Sequence, residues 1–525
     1  MKKKFIRSCL IVVLVAGVMM LLFICIPVPR FEQSYSTVLT SSDGRLLGAT
    51  VAPDGQWRFP ASGCYSDKYV QCLLTFEDRY FFIHPGINPV SFVKALRDNI
   101  KAGRVVRGGS TITMQVVRMA RGNPPRTYGE KLLEVVLALR MELRYSKREI
   151  LDLYVSHAPF GGNVVGLDAA AWRYFKTTPD RLTWAEAATL AVLPNSPSLV
   201  NMGRGRQQLE QKRNSLLQQL PTHYSRHHGT HILPVPSEQE VELALLEKIP
   251  SEPAPMPLMA YHYLAELEKT EKGNRIQSDI DYALQQSVLS VVNTHWKYNR
   301  TNRIENAGVI VYDYLDDKIV AYVGNVLDAA DASMVDMITA RRSTGSILKP
   351  FLFAAMLDEG TLLPEMVLPD VPIHLSGYTP KNYSGQYQGA VTANMALTAS
   401  LNTPFVYLLR RYGSQRFCHL LRSMGFSTID KPAEHYGLSI ILGGGEVTLY
   451  DLVQAYGAMG RELAVAVRED YHGIPSAIKS PFSADAIANT FHIMVNLTRP
   501  VSYSGWKNFN SSKRVAWKTG TSFGF

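Results

Sequence analysis

Three short boxes, Ser346-Ile-Leu-Lys349, Ser400-Leu-Asn402 and Lys518-Thr519-Gly520, stand in that order in the second half of the chain. They constrain it more than any other feature. A serine hydroxyl is a poor nucleophile unless a neighbouring base takes its proton. A lysine three residues on, one helical turn away, points at the same space as the serine. Burial beside other cations lowers such a lysine toward neutrality, where it can be that base. Gly345 before the serine and Pro350 after the lysine suit a turn feeding a helix, since proline is tolerated in a first turn. The apolar run 351–357 continues that helix to Gly360, a C-terminal stop. This places Ser346 at a helix N-terminus, where backbone N–H groups favour developing negative charge. One box alone says little: Ser-x-x-Lys is expected about twice by chance in such a chain. Ser91-Phe-Val-Lys94 is such a decoy and reads as a helix face.

At 525 residues and 46% hydrophobic, the chain suits two or three domains with ample cores. A net charge of +10 points to acidic partners, with nucleic acid and anionic lipid both open. The N-terminus decides between them. Met1-Lys-Lys-Lys4 and Arg7 precede an uncharged apolar run, Ser8 to Ile26, close to the ~20 residues that cross a bilayer. Positive charge on the short side holds it in the cytoplasm and sends everything after Pro27 outside. With no small-x-small cleavage site at its end, the run reads as an uncleaved anchor, and nucleic acid is not expected as a partner. Cys64 and Cys72 could pair in an oxidising compartment, while Cys418 reads as core. No cysteine or histidine cluster has metal-ligand spacing, and Gly443-Gly-Gly445 reads as a turn.

The chain divides into a cytoplasmic tail (1–7), an anchor (8–27), an extended approach (28–59), a helical domain (60–220), a linker (221–290) and an α/β domain (291–525). Turns at Asp43-Gly44 and Asp54-Gly55 punctuate the approach. Capping boxes Thr127…Glu130, Ser146…Glu149 and Thr183…Glu186 start helices over 131–144, 150–154 and 187–193. Scattered prolines mark 221–257, around a short capped helix at 237–248. Residues 308–312 and 318–323 flank Leu315-Asp-Asp317 as a hairpin.

The helical half carries its own chemistry. Glu77-Asp-Arg79 and His84-Pro-Gly86 share one turn-rich stretch, followed by Gly108-Gly109-Ser110-Thr111-Ile-Thr113-Met114-Gln115. Glu134 sits inside an apolar helix, where its expected place is the exposed polar face. For Glu77, a salt bridge to Arg79 or a solvated turn weighs as much as a catalytic role, and His84 reads as a core or supporting histidine. These motifs, with Lys131…Glu134…Glu142…Ser146-Lys147, Tyr154…Phe160-Gly161…Gly166…Tyr174-Phe175 and Glu186…Pro194, resemble the family 51 peptidoglycan glycosyltransferases over residues 60–200. That resemblance implies a mostly helical, lysozyme-like domain partly embedded in the outer membrane leaflet. It implies Glu77 as the base on the lipid II 4-hydroxyl and Glu134 as the group assisting the undecaprenyl diphosphate. Gly109, Ser110, Thr111 and Gln115 would line the substrate site. Arg118, Arg126 and Lys131 would face the diphosphate, alone or with a divalent cation such as Mg or Mn; no tightly bound cofactor is implied. Met114, Glu130 and Ser156 depart from the family pattern, Glu130 most, by placing negative charge near the diphosphate path.

The three boxes of the second half resemble the penicillin-recognising serine transferases. The resemblance implies Ser346 as the acylated nucleophile, Lys349 as its base, Ser400 as proton relay and Asn402 as a substrate-amide anchor. Lys518, Thr519 and Gly520 would form a strand docking the peptide carboxylate, with the N–H groups of Ser346 and Thr521 as oxyanion hole. Together the halves resemble the class A (bifunctional) penicillin-binding proteins, and the departures point to one subfamily within that class. The implied protein is a single-pass inner-membrane enzyme with its catalytic domains outside the cytoplasm. It would polymerise lipid II into β-1,4 glycan strands and cross-link D-Ala-D-Ala stem peptides, with β-lactams as inhibitors. Two other readings are a lytic glycosidase in the first half, or a penicillin sensor or scaffold that acylates without turnover. The chain ends at Phe525, soon after the third box, so the α/β domain is expected to be C-terminally incomplete and its Lys518 strand to lie at an open sheet edge.

Overall fold

The computed structural model of the chain describes residues 23–90, 97, 109–125, 127–195, 204–222, 233–250, 252–327, 333–374, 379–496 and 513–522. Two compact units emerge: one comprises 1–40, 48–258 and 267–276, the other 41–47, 259–266 and 277–525.

The first unit is helical, and its helices begin where small polar residues satisfy the orphan N–H groups of a first turn. Ser66 starts Asp67–Glu77, Thr111 starts Ile112–Ala120 and Thr127 starts Tyr128–Glu142. Reciprocal capping boxes start Lys147–His157 at Ser146, Trp184–Val192 at Thr183 and Glu238–Leu246 at Ser237. Thr127 caps as expected, but Glu130 turns away from the box to Arg121. Trp184–Val192 is the hub: its alanines are buried, and it packs against Asp67–Glu77 and Arg204–Gln219. The small side chains let neighbouring backbones approach closely. A short sheet pairs Trp57–Arg58 parallel to Val164–Val165, which runs antiparallel to Pro159–Gly161.

Within the stretch read as a linker, Glu238–Leu246 packs against Trp184–Val192 and Arg204–Gln219. Arg213 is buried, and its guanidinium donates to the carbonyls of Glu247 and Leu245. This piece is therefore part of the first unit's core and no free tether. Among the described residues no helix is long and apolar enough to cross a membrane. Most of the predicted anchor lies outside them, as do Ser91–Lys94 and Arg126. Cys64 and Cys72 are both free thiols, the first exposed and the second buried, so they are not bridged.

In the second unit the hairpin forms as its turn residues predict. Val309–Asp313 pairs antiparallel with Lys318–Val323, and Asp317 adopts a positive φ in the turn. The helices Tyr282–Asn299 and Leu449–Val467 both pack on this hairpin. A continuous apolar core joins Lys349–Asp358, Asn402–Tyr412, Ser414–Ser423, Leu449–Val467 and Ala484–Val495. The Ser-x-x-Lys helix is almost wholly buried from Lys349 to Met356 and stops at Gly360, whose φ of +66° suits glycine alone. Two corrections belong here. The helix begins at Lys349, so Ser346 lies in the preceding turn, one turn short of the expected helix N-terminus. Residues 513–522 carry Lys518 without strand pairing; they form no regular element, in place of the expected strand.

Candidate active sites

In the first unit, helix Asp67–Glu77 delivers Glu77 at its last turn. The Glu77 Oε2 accepts a hydrogen bond from Gln115 Nε2 at 2.8 Å. The Asn195 side chain also donates to this carboxylate, and Oε1 is buried without a partner among the described residues. Burial pushes the Glu77 carboxyl above its ordinary range; Gln115 and Asn195 oppose this, Asp78 adds to it and Lys212 opposes it. No ion pair joins it to Arg79, which is exposed. The bland reading of Glu77 therefore does not hold.

A buried network aligns the groups around it. Asp78 accepts from His84 Nε2 at 2.9 Å and from the Ile112 N–H at 3.1 Å. His84 Nδ1 accepts from the Gly86 N–H, which requires the proton on Nε2. Thr111 Oγ1 donates to the Gly86 carbonyl at 2.6 Å and caps the helix that carries Gln115. His84 is thus the supporting histidine expected of it. Asp78 is the residue that joins the Glu77 turn to the Gln115 helix, a long-range role with no local signal in the sequence. Asn195 was likewise missed.

Glu134 departs from its expected exposed place. It is 6% exposed, while Leu132 and Leu133 beside it are 68% and 38% exposed. Tyr128–Glu142 turns its carboxylate inward and these leucines out. The buried charge is matched by Lys131 one turn earlier, at 2.7 Å, and Lys131 also donates to Ser110 Oγ at 2.8 Å. Glu142 is paired with Lys147 and accepts from Thr113. Glu130 is paired with Arg121 at 2.5 Å, so its charge is neutralised locally. Arg118 is half-buried, with a buried Nε that has no partner among the described residues. Gly109 and Ser110 lie at the mouth of this helix, half-buried. Among the described residues no three His, Cys, Asp or Glu side chains converge, and Glu134 is paired with Lys131. Of the three cations expected to face a diphosphate, Lys131 and Arg118 are among the described residues.

In the second unit the three boxes do meet. Lys349 is fully buried, and its Nζ donates to the carbonyls of Ser400 and Leu401 and to Asn402 Oδ1 at 2.8–2.9 Å. Burial first, and the nearby Lys518 second, hold it well below the ordinary lysine range. Lys518 Nζ donates to Ser400 Oγ at 3.0 Å, and burial lowers Lys518 to about 8. Ser400 adopts φ +53°, a left-handed conformation unusual outside glycine and held here by contacts on both sides. Ser346 is half-exposed, and none of the three Lys349 hydrogen bonds reaches it.

Glycines bring the third box to the first. A Cβ on Gly345 would lie 2.5 Å from the Thr521 carbonyl and 2.6 Å from its N–H, and one on Gly520 would lie 2.4 Å from the Thr344 carbonyl. Thr519, Gly520 and Thr521 therefore lie along the Ser346 turn without any strand ladder. The Gly443–Gly445 turn buttresses the other side, with Ser343 Oγ donating to the Gly443 carbonyl and the Thr344 N–H to that of Gly445. Its place in the site was not legible in its composition.

A transglycosylase family model matches residues 47–221, and a penicillin binding protein transpeptidase domain model matches residues 307–525. Penicillin-binding protein 1C of Escherichia coli (strain K12) is 35% identical over 95% of this chain and 63% of its own length. Penicillin-binding protein 1F of Bacillus subtilis (strain 168) is 28% identical over 72% of this chain and 52% of that protein. A crystal structure of penicillin-binding protein 1A from Haemophilus influenzae is 17% identical, with a TM-score of 0.43, over 82% of this chain and 69% of that one. The chain spans less than two thirds of the length of these two curated relatives. With a transglycosylase domain followed by a penicillin-binding transpeptidase domain, and with this similarity to penicillin-binding protein 1C, the chain belongs to the class A penicillin-binding proteins.

Proposed function

We propose that the chain is a bifunctional peptidoglycan synthase, with one reaction in each unit. The observation that carries this reading is that each unit gathers its own desolvated acid–base group and polar partners: Glu77 with Gln115 and Asn195, and Lys349 with Ser400, Asn402 and Lys518.

In the first unit Glu77 takes the proton of the lipid II 4-hydroxyl as that oxygen attacks the donor anomeric carbon. The bond from that carbon to the diphosphate breaks, and Lys131, with Arg118, stabilises the departing charge. Attack opposite the leaving group inverts the carbon and yields a β-1,4 linkage. Glu134 pairs with Lys131 and holds it beside Ser110. In the second unit Lys349 accepts the Ser346 proton as Oγ attacks the penultimate D-Ala carbonyl. The terminal D-Ala leaves with a proton relayed through Ser400; an amine of a second stem peptide then attacks the acyl carbon, the new amide bond forms, the bond to Ser346 Oγ breaks and the amine proton returns to that oxygen. Lys518 meets the substrate carboxylate.

Location at the outer face of the inner membrane is supported by the basic-then-apolar N-terminus and by large apolar side chains at the surface of the first unit. Tyr128 is 98% exposed, and Ile83, Leu132 and Leu143 are each more than half exposed, an arrangement that suits contact with lipid.

The test is to give the protein lipid II and labelled penicillin separately. Long glycan products and a covalent adduct on the Ser346 peptide support the reading. Soluble sugars released from finished wall, with no polymer from lipid II, would point to the lytic glycosidase. An adduct without cross-linked product would point to the sensor.

A further inference from the structure

Behind the Ser400–Asn402 box lies a buried carboxylate with no part in the chemistry above. Asp370 is fully buried, and among the described residues no lysine or arginine pairs with it. A buried carboxylate without a cation is costly unless hydrogen bonds replace its water. Three do: Asn382 Nδ2 at 2.8 Å and Thr403 Oγ1 at 2.5 Å on Oδ1, and the Gln388 N–H at 2.9 Å on Oδ2. Burial pushes this carboxyl up, but those donors outweigh it and hold it below the ordinary range. Because Asp370 accepts only, it fixes, together with the Gln386 carbonyl that accepts from the same Nδ2 at 3.0 Å, which way the Asn382 amide faces.

That orientation points Asn382 Oδ1 at the first turn of helix Asn402–Tyr412. It accepts from the Asn402 N–H at 2.9 Å and the Thr403 N–H at 3.4 Å. The residue at the N-cap position, Leu401, offers no side-chain cap. Asn382 supplies from a distant loop the acceptor that a helix start requires. The same Asn402 presents Oδ1 to Lys349 Nζ at 2.8 Å, with its Nδ2 anchored to the Lys381 carbonyl at 2.7 Å. We propose that Asp370 and Asn382 are positioning residues for acylation at Ser346: the carboxylate orients the amide, the amide caps the helix, and the capped Asn402 holds Lys349 in place. Lys381 and Asn382 are thereby one unit, gripping Asn402 by side chain and backbone.

The inference rests on the transpeptidase reading, so its test has two arms on the full chain. The first measures penicillin acylation at Ser346, separating the acylation rate constant from the preceding non-covalent affinity. In Asp370→Asn an NH2 group turned toward Asn382 cannot accept from it, which leaves the Gln386 carbonyl, at 3.0 Å, as the remaining acceptor of the Asn382 amide. The acylation rate constant is expected to fall tenfold or more, with affinity within about threefold. Thr403→Val keeps the Asp370–Asn382 contact and should stay within about threefold in rate despite losing a buried hydrogen bond. The second arm measures hydrogen exchange of the Asn402 and Thr403 amides, whose protection should fall tenfold or more in Asp370→Asn. Should Asp370→Asn not fold, Asn382→Ala carries the same expectations and leaves the carboxylate with Thr403 and Gln388. Unchanged exchange and a rate within twofold of the parent would overturn the proposal, as would equal rate losses in Asp370→Asn and Thr403→Val. If the parent chain takes no penicillin, the transpeptidase reading falls. The exchange arm then decides by itself whether Asp370 and Asn382 hold this helix start.

Discussion

The two units raise a reactive group by the same means and with opposite sign. In the first, burial lifts a carboxyl, Glu77, above its ordinary range among neutral amide partners. In the second, burial drops an amine, Lys349, below its range among carbonyls, with a second lysine adding to the effect. Both groups move toward neutrality, where a base works best. They differ in how the surroundings balance charge. The first unit matches Glu134 with Lys131 and Glu130 with Arg121. The second leaves two lysines facing one serine, an arrangement that an incoming substrate carboxylate would relieve. One site pairs its carboxylates with cations, and the other holds two lysines with no carboxylate partner among the described residues.

The largest expected effect tests whether the two sites are separate. Ser346→Ala should abolish covalent penicillin labelling while glycan polymerisation stays within about twofold, because no group of the first site lies in the second unit. Loss of both activities in this variant would end the comparison.

The pH profiles come next: both should rise from the acid side, and acylation alone should fall again at higher pH. Polymerisation needs ionised Glu77, so its acid limb should lie above the ordinary glutamate value of 4.5. Acylation should rise as Lys349 loses its proton and fall above pH about 8 as Lys518 loses its charge. Lys518→Arg keeps the charge and should carry the falling limb beyond pH ~10. Retention of a limb near 8 in that variant would remove Lys518 from the account.

How much of this was legible follows from how local each signal is. The hairpin at Leu315-Asp-Asp317, the capping boxes at Ser146 and Thr183 and the Gly360 stop rest on residues within a few positions of one another, and the structure places them as read, whereas at Thr127 the cap forms without the return bond from Glu130. Glu134 was misplaced because apolar residues are read as facing the core, whereas Leu132 and Leu133 face outward here. Lys518 was expected on a strand; instead, close packing of Thr521 against Gly345 and of Gly520 against Thr344 holds its segment with no ladder. Asp78, Asn195, Asp370 and Asn382 act only through partners distant in the chain. No local pattern reveals them.

Two smaller effects sharpen the contrast. Gly345→Ala would push a Cβ into Thr521 and strain a φ of +51°, displacing the third box; acylation should fall about 10- to 100-fold with polymerisation unchanged. Lys131→Gln would leave Glu134 buried without its cation, costing about 1–3 kcal/mol of first-unit stability and slowing polymerisation, both readable by thermal melts and lipid II assays. Smallest of all, Glu130→Ala breaks a partly exposed pair with Arg121 and should leave the thermal melt almost unchanged.

The central claim is that the chain holds two independent acid–base centres, and Glu77→Gln tests it most directly. Glutamine retains the shape and accepts from Gln115, yet cannot take a proton, so polymerisation of lipid II should fall at least about 100-fold. A carboxyl raised by burial favours folding in its protonated form and loses that advantage as pH rises through its folded value. The neutral variant should therefore melt no lower than the parent near neutral pH. Penicillin acylation of Ser346, measured on the same preparation, should keep the parent rate. Polymerisation at the parent rate, or an equal loss of acylation in a folded protein, would contradict the account.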